Sequence, residues 1–191
     1  MEKAVVKRVV VIGGSAGSLE ILLQVLSSLG PGFPHPIVLV LHRRATDDQM
    51  LESLFAAKCP FPVIPVEDKT ELCDGCLFIA PSDYHLLFER DGTLSVDTSA
   101  KVNFSRPSID VSFESAADAW GAKVTAVLLS GANSDGSAGL KAVLDAGGLA
   151  VVQAPATAPM PTMPKSAIEL ISPDAIATPY ELIKIIQKGM I

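Results

Sequence analysis

The sequence predicts an α/β domain of three layers, in which helices cover both faces of a doubly wound, mostly parallel sheet. Apolar segments of strand length alternate along the chain with amphipathic segments of helix length, a pattern typical of βαβ units. The segment at residues 36–41 is almost wholly aliphatic, as strands buried on both faces are. The 191 residues suit one ordinary domain, so we expect a single domain over residues 1–191.

The individual elements follow from this alternation. Strands are expected at residues 7–13, 36–41, 77–80, 123–129 and 149–153, and helices at 18–29, 47–58, 109–120, 139–146 and 179–188. Ser18 suits the N-cap of the first helix, which Gly30-Pro31-Gly32 would end. Residues 84–90 and 93–97 predict an added antiparallel hairpin with a two-residue turn at Asp91-Gly92. The proline-rich residues 154–164 are expected to form an ordered loop beside the last strand.

Composition excludes several classes of protein. The formal net charge is −6, and no dense stripe of Lys and Arg offsets the acids, so a nucleic-acid partner is not expected. No apolar run approaches the roughly 20 residues of a membrane span, and the N-terminus lacks a signal-peptide pattern. We therefore expect a cytoplasmic protein without direct membrane insertion.

The cysteines give little reason to expect a metal site. Cys73 and Cys76 form a CxxC motif, and the one remaining cysteine, Cys59, cannot supply a second pair. Small loop or buried thiols are therefore favoured over metal or redox chemistry.

Polar side chains of complementary kind follow three of the predicted parallel strands. Ser15 follows the first strand, His42 the second, and Asp135 lies in the loop after the strand at 123–129. The carboxyl ends of parallel strands meet at one edge of a sheet, where ligands bind. A serine, a histidine and an aspartate at such an edge could act as nucleophile, general base and the group that orients the base.

The turn after the first strand supports the same hypothesis. Residues 13–17 satisfy GxSxG between a strand and a helix, the setting that exposes a nucleophilic serine. The helix N-terminus adds free N–H groups suited to an oxyanion. A nucleotide-binding turn stays open as an alternative, although GxGxxG would need glycine at Ser15 and Ser18. Structural roles for His42 and Asp135 also stay open.

Five segments in order carry a family resemblance: VVVIGGSAGS, LVLHRR, FIAPSDYHL, NFSRPSIDVSFESAA and VLLSGANSDGSAGL. They resemble the catalytic domain of the CheB-type chemotaxis protein-glutamate methylesterases. The resemblance implies Ser15 as nucleophile, His42 as base and Asp135 as its orienting carboxylate. Ala16 follows the nucleophile directly, so its N–H is the natural first oxyanion donor; the resemblance suggests Ala132 as the second.

The resemblance also implies the reaction and its partner. The substrate would be γ-methyl glutamyl esters on the cytoplasmic helical region of methylated chemoreceptors, with deamidation of certain glutamines in some members. No metal or organic cofactor is implied. Family members commonly carry an N-terminal receiver domain, and this chain begins at the first strand of the catalytic domain. We therefore expect either a constitutively open esterase or control by a separate regulatory protein.

Two further residues are candidate substrate contacts. Arg106 could meet an acidic substrate surface, or it could anchor a loop at the start of the following helix, where Ser108 or Asp110 could cap. Met163 lies in a segment that the resemblance places in the wall of the site. His85 belongs to the matching segments, but a structural role is favoured for it.

Alternatives to a receptor methylesterase stay open at this point. The same fold could serve as a non-catalytic module that docks a receptor or a signalling partner, or as an esterase acting on a non-receptor ester.

Overall fold

Ten strands and six helices make up the fold in the computed structural model, which describes residues 6–44 and 48–189. The strands are β1 (Val9–Gly14), β2 (Ile37–Leu41), β3 (Val63–Pro65), β4 (Thr70–Glu71), β5 (Leu77–Ile79), β6 (His85–Phe88), β7 (Thr93–Asp97), β8 (Val124–Leu128), β9 (Leu149–Gln153) and β10 (Ala175–Ala177). The helices are α1 (Leu19–Leu29), α2 (Asp48–Lys58), α3 (Ile109–Trp120), α4 (Ser137–Asp145), α5 (Thr162–Leu170) and α6 (Pro179–Lys188).

The central sheet has seven strands in the order β10-β9-β8-β1-β2-β5-β3, and each neighbouring pair is parallel. Side chains alternate between its faces along each strand. Val9 and Val11 of β1 belong to a core shared with α3, α4 and α5, whereas Val10 and Ile12 belong to a second core shared with α1, α2 and α6. The predicted three-layer, doubly wound fold is thus confirmed.

A small antiparallel sheet of order β4-β7-β6 accompanies the central sheet. Its hairpin between β6 and β7 confirms the prediction, but the predicted two-residue turn is wrong. Glu89 N–H donates to the Thr93 carbonyl at 3.0 Å, which leaves a loop of residues 90–92. Gly92 adopts φ 88°, and the Asp91 carboxylate accepts from Thr93 N–H at 3.0 Å and from its hydroxyl at 2.7 Å. These features suit a three-residue hairpin loop.

Most other predicted elements are present with shifted ends, and four short elements were not predicted: β3, β4, α5 and β10. The start predicted for the second helix, at residue 47, lies outside the described residues. Residues 154–164 are not only a loop, since α5 begins within them at Thr162. Proline is tolerated in the first turn of a helix because the N–H groups there need no helical partner, so Pro164 is compatible with the helix.

Within residues 6–44 and 48–189, none of the helices has the length and apolar character that crossing a membrane would require.

The contact between α3 and α4 depends on a glycine. A Cβ at Gly139 would lie 2.6 Å from Phe113 Cβ and 2.9 Å from the Asp110 carbonyl oxygen. Glycine to alanine in a helix ordinarily stabilises by about 1 kcal/mol, but overpacking typically costs about 1–3 kcal/mol. Backbone atoms are among the clashing neighbours and cannot rotate away, so the clash should dominate.

We therefore expect Gly139→Ala to lower the free energy of unfolding by about 1–2 kcal/mol, measured by denaturant titration. Gly32→Ala is the matched control, because a Cβ there meets nothing within 4 Å; its effect should stay below about 0.5 kcal/mol. A Gly139→Ala variant as stable as the wild type would contradict this account of the helix contact.

Candidate active site

Ser15 and His42 come together because they follow neighbouring strands in register. Gly14 at the end of β1 pairs with Leu41 at the end of β2. The backbone holds both next residues in place: Ser15 N–H donates to the Ser130 carbonyl at 2.9 Å, and His42 N–H to the Gly14 carbonyl at 3.1 Å. Ser15 and His42 line one pocket of about 260 Å³, whose apolar wall includes Leu19, Leu41, Met50, Leu51 and Leu54.

The turn between β1 and α1 has the predicted strand-turn-helix setting, and two of its glycines are required by close approach. A Cβ at Gly13 would lie 2.4 Å from Ile109 Cγ2, so this glycine lets α3 approach β1. Gly17 has φ 80°, and a Cβ there would lie 2.8 Å from the Ser130 hydroxyl. Positive φ strains residues other than glycine.

His42 and Asp135 form a hydrogen-bonded pair. His42 Nε2 lies 2.7 Å from Asp135 Oδ2, with the imidazole 12% exposed and the carboxylate fully buried. An ionised carboxylate only accepts hydrogen bonds, so Nε2 carries the proton of this bond. The neutral ring then has its free lone pair on Nδ1, and Nδ1 is the nitrogen able to accept a proton from a neighbouring group.

The Asp135 carboxylate sits on the N-terminus of α3. Its oxygens accept from Ile109 N–H at 2.7 Å, Asp110 N–H at 3.1 Å and the Ser108 hydroxyl at 2.8 Å. Burial alone would raise the pKa of Asp135, but the hydrogen bonds from His42, the two helix N–H groups and Ser108 outweigh burial and lower the pKa to about 2. The positive end of the helix dipole acts in the same direction. Asp135 is therefore ionised at neutral pH.

Ser108 is the N-cap that links this helix end to the small sheet. Its hydroxyl oxygen accepts from Val111 N–H at 3.4 Å, and its own N–H donates to His85 Nδ1 at 3.2 Å. His85 Nε2 in turn donates to the Ala100 carbonyl at 3.0 Å. Both ring nitrogens of the fully buried His85 are thus engaged, which supports the structural role favoured for it.

The carboxyl group of Asp110 lies beside that of Asp135. From the sequence, Asp110 was considered only as a possible helix cap. Asp110 accepts from Gly139 N–H at 2.8 Å and from Asn103 Nδ2 at 3.0 Å. Asn103 Nδ2 also lies 3.4 Å from Asp135 Oδ1. Burial, with the nearby charge of Asp135, raises the pKa of Asp110 to about 6. The closeness of Asp110 and Asp135 could not be predicted from the sequence. It arises because α3, which carries Asp110, contacts the loop before α4, which carries Asp135.

Ala16 and Ala132, the residues predicted to supply oxyanion N–H groups, are both exposed. Neither N–H has an acceptor among residues 6–44 and 48–189. Hydrogen bonds hold Gly131, the residue before Ala132, on both its backbone groups. The Gly131 carbonyl accepts from Met163 N–H at 2.9 Å, and Gly131 N–H donates to the Met160 carbonyl at 3.0 Å. Both N–H groups are therefore available to a ligand.

A buried polar network under these two turns was not predicted. The Ser130 hydroxyl donates to the Ala16 carbonyl at 2.8 Å and accepts from Met160 N–H at 2.9 Å. Ser130 N–H donates to Gln153 Oε1 at 2.9 Å, and Gln153 Nε2 donates to the Thr157 carbonyl at 3.0 Å. Ser130 thus connects the turn after β1 with the segment after β9.

Arg106 is engaged as a loop anchor. Its Nη2 pairs with Asp83 Oδ1 at 2.9 Å, and its Nη1 donates to the carbonyls of Thr98 at 2.7 Å and Ser99 at 2.8 Å. These bonds occupy the guanidinium, so they favour the anchoring alternative over contact with substrate.

The structure does not support the predicted role of Met163 as a substrate contact, because Met163 is fully buried. A Cβ at Gly131 would lie 2.5 Å from Met163 Cε. The side chain therefore packs beneath the loop that carries Ala132.

The CxxC thiols lie against each other, with Sγ of Cys73 and Cys76 2.8 Å apart. Burial raises the pKa of the Cys73 thiol to about 12, which disfavours the thiolate form that binds metals. In the described part of the chain, no three His, Cys, Asp or Glu side chains are grouped so as to hold a metal ion.

The raised pKa of Asp110 predicts a pH-dependent stability. Because the native state holds this proton more tightly than the unfolded chain, Asp110 stabilises the fold below about pH 4, and that contribution is lost as pH rises through about 6. We expect the stability of Asp110→Asn relative to wild type to increase between pH 4 and 6.5, measured by denaturant titration at each pH. Asp118→Asn, an exposed change on the same helix, is the control. Parallel pH curves for wild type and Asp110→Asn would contradict this account.

Comparison with known proteins assigns the chain to a family. The model of the CheB methylesterase family matches residues 10–186. The chain is 44% identical over 167 residues to a protein of Leptospira interrogans, covering 87% of this chain and 86% of that protein. It is 37% identical over 164 residues to a protein-glutamate methylesterase/protein-glutamine glutaminase of Mesorhizobium japonicum, covering 86% of this chain and 48% of that protein.

A solved structure has the same fold. The crystal structure of the Thermotoga maritima CheB methylesterase catalytic domain matches with a TM-score of 0.91 and 31% identity, covering 96% of this chain and 98% of that one. Both the sequence and the fold lead to one conclusion: this chain belongs to the CheB methylesterase family.

Proposed function

We propose that this chain is a serine hydrolase that cleaves γ-methyl glutamyl esters, and deamidates glutamines, on the cytoplasmic helical region of chemoreceptors. The observation that carries the proposal is the 2.7 Å bond between His42 and the buried Asp135, placed at the strand edge where Ser15 also lies. Membership of the CheB methylesterase family supports the substrate class, as does the name of the Mesorhizobium relative.

The first half of the reaction transfers the acyl group to the enzyme. Ser15 Oγ attacks the ester carbonyl carbon while His42 Nδ1 accepts the hydroxyl proton. Asp135 stabilises the imidazolium through Nε2–H and keeps the ring in the required tautomer. As the tetrahedral intermediate collapses, the C–O bond to the methoxy group breaks and His42 returns the proton, releasing methanol.

The second half regenerates the serine. A water molecule gives its proton to His42 Nδ1 and attacks the acyl carbon, and Ser15 leaves with the proton that His42 returns. The product is a glutamate side chain. With glutamine as substrate, ammonia leaves in place of methanol and the remaining steps are the same.

Both tetrahedral intermediates carry a negative oxygen. The N–H groups of Ala16 and Ala132, which have no acceptor in the described part of the chain, are suited to bind this oxygen, because they lie on the turns after β1 and β8 and the carbonyl of each peptide is already hydrogen-bonded. Fixed donors of this kind need no reorganisation during the reaction.

The contacts at the turn argue against the nucleotide-binding alternative. The N–H and the hydroxyl of Ser18 both donate to the Ser15 carbonyl, which removes two of the donors that a phosphate at this helix N-terminus would use. The remaining rivals are a docking module without turnover and an esterase with a different ester.

The experiment that tests the proposal measures methanol release from a methylated receptor cytoplasmic fragment. We expect turnover by the wild type and a loss of several powers of ten in kcat for Ser15→Ala, since that change removes the nucleophile. Ser27→Ala is the matched control, because Ser27 is an exposed serine of α1, and it should retain full activity.

Two results would contradict the proposal. Ser15→Ala with wild-type turnover would exclude Ser15 as nucleophile. Absence of turnover by folded wild type on fragments of several receptors would exclude the receptor ester and leave another ester or a docking role.

A further inference from the structure

We propose that the Ser18 hydroxyl positions the peptide between Ser15 and Ala16, so that Ser18 determines how well the Ala16 N–H binds the oxyanion. The inference rests on the proposed function, since it concerns the same site. Ser18 would be a positioning residue, because the hydrogen bond of its hydroxyl goes to the carbonyl of that peptide.

The contacts of Ser18 differ from those of an ordinary N-cap serine. A capping serine usually has extended backbone angles, and its oxygen accepts from a helix N–H. Ser18 stands at the N-cap of α1 with φ −84° and ψ −21°, and its side chain caps no helix N–H. Its hydroxyl instead donates to the Ser15 carbonyl at 2.7 Å, and its N–H donates to the same oxygen at 3.1 Å.

The geometry of a peptide connects this bond to the Ala16 N–H. The peptide unit is planar and trans, so the Ser15 carbonyl and the Ala16 N–H point in opposite directions. Fixing the carbonyl toward the helix therefore fixes the N–H toward the other side, away from Ser18. Hydrogen bonds to a carbonyl also polarise the peptide and strengthen its N–H as a donor.

Packing holds the Ser18 side chain in place at the edge of the pocket that Ser15 and His42 also line. Ser18 is 2% exposed, and its side chain occupies the space beside Gly14, since a Cβ at Gly14 would lie 2.8 Å from both Cβ and Oγ of Ser18. Among the described residues, the Ser15 carbonyl is the one hydrogen-bond partner of the Ser18 hydroxyl. Removing the Ser18 hydroxyl therefore removes one hydrogen bond to the peptide between Ser15 and Ala16. The hydrogen bonds of the Ser130 hydroxyl to Ala16 and Met160 do not involve Ser18.

The expected effect is on kcat more than on KM, because the oxyanion forms after substrate binds. Losing a direct oxyanion donor costs about 10²–10³ in kcat. Ser18→Ala leaves the Ser18 N–H on the carbonyl, so we expect a smaller loss of about fivefold to fiftyfold. KM should change less than about twofold, since ground-state binding does not depend on this donor.

The test compares Ser18→Ala with Ser28→Ala. Ser28 is a matched control because it is exposed on the same helix and its hydroxyl also donates to a backbone carbonyl at 2.7 Å, that of Gln24. Three quantities are measured for each variant: kcat and KM for methanol release, the rate at which a fluorophosphonate labels Ser15, and the thermal midpoint. Labelling also builds negative charge on an oxygen bound to phosphorus, and it needs no receptor substrate.

The inference predicts that kcat and the labelling rate fall together in Ser18→Ala, with KM and the thermal midpoint near wild type and Ser28→Ala unchanged. Wild-type kcat and labelling in Ser18→Ala would overturn it. A fall accompanied by a matching loss of thermal stability would also overturn it, because the role of Ser18 would then be structural. If wild type labels but releases no methanol, the receptor substrate is wrong and the labelling rates alone decide the role of Ser18.

Discussion

A buried carboxylate is the feature on which the site depends. Asp135 is fully enclosed, and leaving such a charge unpaired would cost about 3–5 kcal/mol. The N-terminus of α3 supplies the compensation through Ser108 and the first two helix N–H groups, and His42 and Asn103 add further donors. Gly13 and Gly139 lack side chains and so permit the close approach of α3. The position of α3 fixes Asp135, and Asp135 in turn fixes the imidazole of His42. The packing of α3 against β1 and α4 thereby determines where the proton acceptor lies.

The two candidate oxyanion donors are prepared in a similar way on separate turns. In each case the carbonyl of the residue before the donor accepts a hydrogen bond: the Ser15 carbonyl from Ser18, and the Gly131 carbonyl from Met163 N–H. The Ser130 hydroxyl then ties the Ala16 carbonyl to the segment that holds Gly131. Hydrogen bonds thus hold the two turns that would bind the negative oxygen, and the pocket that Ser15 and His42 line has an apolar wall formed by residues of α1, β2 and α2.

The sequence allowed the fold class and the strand edge to be predicted because both follow from local patterns. Strand-length apolar runs identify β1, β2 and β8, and polar residues after them must lie at one edge. Roles that depend on contacts between distant segments could not be predicted. The raised pKa of Asp110 requires knowing that α3 meets the loop before α4, and the burial of Met163 requires knowing that α5 packs beneath that loop. The helix α5 itself could not be predicted, because the prolines around Thr162 are equally typical of a loop.

The most direct test of the account is the protonation state of the His42 ring, observed by ¹⁵N NMR at a pH at which the imidazole is neutral. The 2.7 Å bond from Nε2 to the ionised Asp135 predicts that Nε2 carries the hydrogen and that Nδ1 is unprotonated, leaving Nδ1 to accept the proton of Ser15. The Asp135→Asn variant should lose this preference. A neutral ring protonated on Nδ1 in the wild type would contradict the assigned geometry and, with it, the proposed base.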